Sequence, residues 1–150
     1  MATVASWPIE IDPAAAVPDA IDAWTTTVRS AIEDLRHGRL DRAALVWHDD
    51  ATWIVRCVPA HEQTLTGIDA IVERLRVLGT RTGNTFRQRL VALTGSDGPI
   101  VTAYVRTLAR RGRRTLDQPS LLVFELASGR IRRVTELPGD VAAWCRFWDE

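Results

Sequence analysis

Lysine is absent from this chain. All 19 of its basic Lys/Arg positions are arginine, against 19 acidic residues, for a formal net charge of +0. A chain without net positive charge has no bulk attraction for nucleic acid or for an anionic membrane. Arginine throughout reads as the codon bias of a GC-rich genome. Long apolar runs are missing as well. No segment approaches the roughly 20 apolar residues that a membrane-spanning helix needs. The N-terminus lacks the basic region and apolar stretch of a signal peptide, so the cytoplasm is the expected compartment. Cysteine is scarce: Cys57 and Cys145 lie far apart in the sequence, without metal-ligand spacing. They read as buried thiols rather than a disulfide, and no zinc motif exists. Internal repeats and low-complexity tracts are also lacking.

What is present fits one domain with one core. The chain has 150 residues, 46% of them hydrophobic and 25% charged, an ordinary balance for a soluble globular domain. Six tryptophans against one tyrosine are the unusual feature. Tryptophan combines a large apolar area with one N–H, which suits either a core or an apolar ligand pocket.

Residues 1–18 hold three prolines and no helical period, so they read as an irregular arm that Trp7 and Ile9 can dock. Residues 19–150 then form the domain. Asp19 can cap a helix in which Ile21, Trp24, Val28, Ala31, Ile32 and Leu35 share one face, ending at Gly38. A short helix is expected over 41–47, a strand over 51–58 and a very short strand over 64–66. Thr66 and Asp69 form a variant capping box for a third helix, with Ile68, Ile71, Val72, Leu75 and Leu78 on its apolar side. The period then changes to two, giving four strands over 84–94, 99–109, 114–127 and 130–137. A short helix over 141–148 closes the chain. Helices first and strands last make the class α+β. The expected architecture is a cone-shaped, curved antiparallel sheet covered by three N-terminal helices, with a short C-terminal helix.

Three stretches then carry a likeness. The segment LVWHDDATWIV resembles a motif common in the nuclear-transport-factor-like superfamily, which includes SnoaL-like polyketide cyclases, ketosteroid isomerases and limonene epoxide hydrolase. TLTGIDAIVERL resembles the superfamily's third-helix start, and LLVFELASGRIRRVTEL its closing hairpin. The likeness spans residues 20–148 and implies a cone with a pocket. It does not by itself imply a reaction, because this fold hosts many chemistries and also pure binding.

Glu136 is the first catalytic candidate, since some relatives that resemble the chain carry a pocket-facing Asp in the closing strand. Burial in an apolar cone disfavours the charged form of a carboxyl group and so makes it a better base. The alternative is a rim carboxylate paired with Arg132 or Arg133. Thr102, Tyr104 and Arg106 alternate together, so Tyr104 and Arg106 can steady an oxyanion from the same strand face. The alternative there is a core tyrosine and an arginine extended to the rim. The Arg–Asp pair of limonene epoxide hydrolase is missing at this strand. Val55 stands where the resemblance to ketosteroid isomerase would want a base. His61, on the loop after the first strand, is a candidate proton shuttle, or simply a surface histidine. His48, Asp49 and Asp50 read as a capped turn rather than a catalytic cluster. Of Asp117 and Gln118, at most one can face the pocket.

The expected lining is Trp24, Trp47, Trp53, Phe86, Thr102, Gln118, Leu122, Phe124 and Val134, with part of that set plain core. The basic run from Arg110 to Arg114 reads as a solvated hairpin. The expected activity is that of a cofactor-independent cyclase or isomerase working on a polyketide- or terpenoid-like substrate by carboxylate acid/base catalysis. The alternatives are a non-catalytic ligand-binding or dimerisation module, or an epoxide hydrolase with a non-standard site. The expected partners are a small apolar organic substrate and a second copy of the chain, with no nucleic acid, membrane, metal or cofactor.

Overall fold

A computed structural model describes residues 9–16, 23–37, 39–57, 62–95 and 98–149. The elements run β1 (Ile9–Ala16), α1 (Ala23–Arg36), α2 (Leu40–Val46), β2 (Trp47–Val55), β3 (Gln63–Thr66) and α3 (Ile68–Arg81). They continue with β4 (Arg87–Gly95), β5 (Ile100–Arg111), β6 (Arg114–Ala127), β7 (Arg130–Pro138) and α4 (Val141–Trp148). Among the described residues, seven strands form one sheet in the order β1-β4-β5-β6-β7-β2-β3.

The four-strand meander follows the alternation in the sequence. Along β5, Val101, Ala103, Val105, Thr107 and Ala109 are buried on one face. The β6–β7 connection is tight because Ser128 and Gly129 both take positive φ, 53° and 75°. That backbone matches the twist of a two-residue hairpin. The helices pack their apolar stripes on the inner face. In α1, Val28, Ala31, Ile32 and Leu35 are buried, and in α3, Ile71, Leu75 and Leu78.

Four expectations need correction. Residues 9–16 are not irregular: they form β1, an edge strand parallel to β4, with Ile9 opposite Gln88. Pro13 conceals the period, and an edge position tolerates a residue without N–H. The sheet is mixed rather than wholly antiparallel, since β2 also pairs in parallel with β7. The Thr66–Asp69 capping box does not form. Gly67 is the α3 N-cap, at φ 89°, with no side-chain bond to the helix. Trp47, expected at a helix end, opens β2.

The sheet is strongly curved. In a flat sheet β4 and β7, three places apart, would be separated by about 14 Å. Here Gln88 of β4 and Glu136 of β7 meet through a 3.0 Å hydrogen bond across the concave side. That closeness sets the geometry of the candidate site.

Candidate functional site

Glu136 lies near the end of β7 and is 1% exposed. Its Oε1 accepts a bond from Trp53 Nε1 at 3.0 Å, and its Oε2 accepts one from Gln88 Nε2 at 3.0 Å. The Arg74 guanidinium stands 3.6 Å from Oε1, on a side chain only 9% exposed. Four elements thus converge on one carboxylate: β2, β4, β7 and α3. A buried carboxylate survives only when paired and hydrogen-bonded. These three donors meet that condition.

The polar character continues along the inner face. Gln88 Nε2 also reaches Thr107 Oγ1 at 3.5 Å, and Thr107 Oγ1 donates to Ser120 Oγ at 3.2 Å. Register places Gln88 opposite Thr107, and Thr107 opposite Gln118. Gln118 Oε1 accepts the Asp140 backbone N–H at 2.6 Å, in the cap of α4. Apolar side chains surround this row. Trp47 and Trp53 stack with centroids 6.4 Å apart, and Leu122, Phe124 and Val134 are fully buried.

A cleft of about 280 Å³ is lined by Val55, Gln63, Arg74, Leu78, Trp144 and Trp148 among others, and Val55 is the strand partner of Glu136. Arg74 Nε donates to Gln63 Oε1 at 3.3 Å, so its guanidinium joins the cleft to Glu136. Helix α4 roofs this region. Arg81 and Arg111 donate to the Trp148 carbonyl at 3.0 and 2.9 Å, and Arg114 donates to that of Asp149. Cations at a helix C-terminus offset its dipole. Nearby, burial pushes the Cys57 thiol from its ordinary 9.0 up to about 11. Cys145 and Glu136 push the same way, and Arg74 opposes them. Among the described residues, no group of three or more His, Cys, Asp or Glu gathers as metal ligands. No helix of the described residues is long and apolar enough to cross a membrane.

No family model matches the chain. The uncharacterized proteins Rv0034 of Mycobacterium tuberculosis and Mb0035 of Mycobacterium bovis are each 28% identical to it over 128 residues, covering 85% of this chain and 97% of the relative. Among solved structures, Bal32a from a soil-derived mobile gene cassette is similar at a TM-score of 0.75 and 28% identity, covering 85% of this chain and 97% of that one. An NTF2-like protein of unknown function from Burkholderia pseudomallei K96243 is similar at 0.69 and 16% identity, covering 87% and 100%. A SnoaL-like polyketide cyclase from Jannaschia sp. CCS1 is similar at 0.65 and 14% identity, covering 89% and 97%.

The chain has the nuclear-transport-factor-like fold. SnoaL-like polyketide cyclases share it, in agreement with the likeness in the sequence.

Within this nuclear-transport-factor-like cone the expected site residues separate. Glu136, Val134, Leu122, Phe124, Trp47, Trp53 and Gln118 lie on the buried inner face. Trp24 is partly buried against the core, and Phe86 is buried against Trp148. Tyr104 and Arg106 are on the other face and do not meet Glu136. Tyr104 is 44% exposed, and Arg106 Nε pairs with Asp117 Oδ1 at 2.6 Å in the open. Thr102 shares their face by alternation. The physical reason is parity: Thr107, one step from Arg106, points inward. His61 lies outside the described residues. Glu136 does not use Arg132 or Arg133 as a rim partner; Arg133 pairs with Glu125 at 3.7 Å. His48 Nε2 bonds the Ala127 carbonyl at 2.8 Å, while Asp49 and Asp50 are exposed.

Arg74 and Gln88 were missed. Both carry a readable signal. Arg74 interrupts the apolar stripe of α3 between Ile71 and Leu78, and Gln88 alternates with Phe86 and Leu90.

Proposed function

We propose that this chain is a cofactor-independent enzyme of SnoaL-like cyclase or isomerase type, acting on a small polyketide- or terpenoid-like molecule with Glu136 as its acid/base. The observation that carries this reading is the buried Glu136 carboxylate, held by Trp53, Gln88 and Arg74, the last of which also lines a cleft. A carboxylate kept in the interior needs dedicated donors, and keeping one there costs folding energy, which makes it a functional-site candidate.

The chemistry follows from those contacts. A guest with an acidic C–H displaces the Gln88 amide from Oε2. Glu136 takes the proton from carbon, and the electron pair moves onto the guest's adjacent oxygen as an enolate. Trp53 stays on Oε1 and keeps the carboxyl group aimed. Arg74 remains close enough to offset the new negative charge, which counts for more in a dry site than in water. Reprotonation at carbon, at the same or another position, completes an isomerisation or sets up ring closure.

The test is deuterium exchange into the methyl group of 2-acetylnaphthalene in heavy water, followed by mass spectrometry. Wild-type protein is expected to accelerate exchange over buffer, and Glu136→Gln to lose about tenfold or more. Circular dichroism checks that the variant is folded. Equal rates in wild type and a folded variant reject the acid/base role.

A second reading, association of two copies through the sheet, rests on the outer face. Val91, Tyr104 and Leu137 are exposed there and border an apolar groove of about 520 Å³ with Pro119 and Leu121. Exposed contiguous apolar surface of this kind marks interaction sites. This reading is compatible with the first and also stands without catalysis.

A further inference from the structure

The polar row on the inner face contains one donor with nothing to donate to. Gln118 is 4% exposed, and its Nε2 has no hydrogen-bond partner. The amide cannot be turned round to remove the problem. Its Oε1 holds the Asp140 backbone N–H at 2.6 Å, and a flip would set two donors against each other. The orphan is therefore the N–H side.

Buried side-chain donors are nearly always paired, and leaving one unpaired costs about 1–3 kcal/mol. The polar neighbours of Gln118 in this row are satisfied; on the same face Trp47 Nε1 is also without a partner, but it stands outside the row. Thr107, directly across the strand pair, bonds Ser120 and Gln88, and Gln88 continues to Glu136. The row thus runs from a carboxylate at one end to an unused amide donor at the other.

We infer that Gln118 is a specificity-determining residue whose Nε2 donates to an acceptor oxygen, a carbonyl or ether, on the guest of this cone. The inference rests on the cone interior being a guest site, and it adds a substrate class: an oxygenated molecule rather than a plain hydrocarbon. Gln118 discriminates by leaving its donor unpaired whenever the guest lacks the oxygen. A site built to hydrogen-bond one group rejects the analogue without it far more strongly than an apolar wall rejects a change of shape.

Two probes of nearly one shape test this: 2-acetylnaphthalene, and 2-isopropenylnaphthalene, in which CH₂ replaces the carbonyl oxygen. Binding is read by quenching of tryptophan fluorescence. Wild-type protein is expected to prefer the ketone by about tenfold. Gln118→Glu keeps an acceptor for the Asp140 N–H but loses the donor, and its preference is expected to vanish. Gln118→Leu is the second variant, should the first not fold. Failure of wild type to bind either probe, equal affinity for the two, or a preference that survives in a folded variant each overturns the assignment. The readings are separable. Ketone preference without deuterium exchange leaves Gln118 its role and removes catalysis. Exchange without ketone preference does the reverse.

Discussion

Neighbouring residues at the end of β7 reverse the usual rule for inside and outside. Glu136 is 1% exposed and Leu137 is 36% exposed. The same contrast runs through the sheet. Gln88, Thr107, Gln118 and Ser120 are buried on the inner face, while Val91, Tyr104 and Leu137 are exposed on the outer one. Misplaced polarity is expensive inside, where each donor and carboxylate needs a partner. It costs little outside, where water supplies one. The inner face therefore shows where the protein retains polar groups against a folding penalty. The outer face leaves apolar area exposed.

Substitutions on the two faces should separate sharply. Glu136→Leu removes the partner of a nearly buried Arg74 and two hydrogen bonds, and is expected to cost about 3–5 kcal/mol in urea denaturation. Adding Arg74→Leu should recover part of that loss, because the unpaired cation disappears with its side chain. Leu137→Asp, one residue on, should leave the fold intact and weaken self-association by about 2 kcal/mol or more, read by analytical ultracentrifugation. Unchanged association would remove the outer face as an interface. Arg106→Ala deletes an ion pair at 2.6 Å that stands in water, so its effect on stability should stay within about 0.5 kcal/mol. A loss as large as that of Glu136→Leu would end the distinction between the faces.

Much of the fold was legible in the sequence, and the site only partly. The α3 stripe, the four long strands and the terminal helix follow from spacing of three, four and two residues. Alternation, however, defines two faces without saying which is inside. That is why Tyr104 and Arg106 were expected beside Glu136 and lie opposite. β1 escaped because its partner, β4, is distant in the chain and its own pattern is broken by proline. Arg74 and Gln88 each interrupt an apolar pattern, and such interruptions deserve weight as buried polar candidates.

By itself the sequence determined the helices, the meander, the turn at Ser128-Gly129 and the two-faced character of the four meander strands, because these depend on local backbone preference and period. Tertiary structure alone decided the parallel pairings of β1 and β2, the curvature that brings Gln88 to Glu136, and which face became the interior. Those depend on contacts between residues tens of positions apart. Their energies depend on burial, and burial is a property of the assembled fold rather than of any one segment.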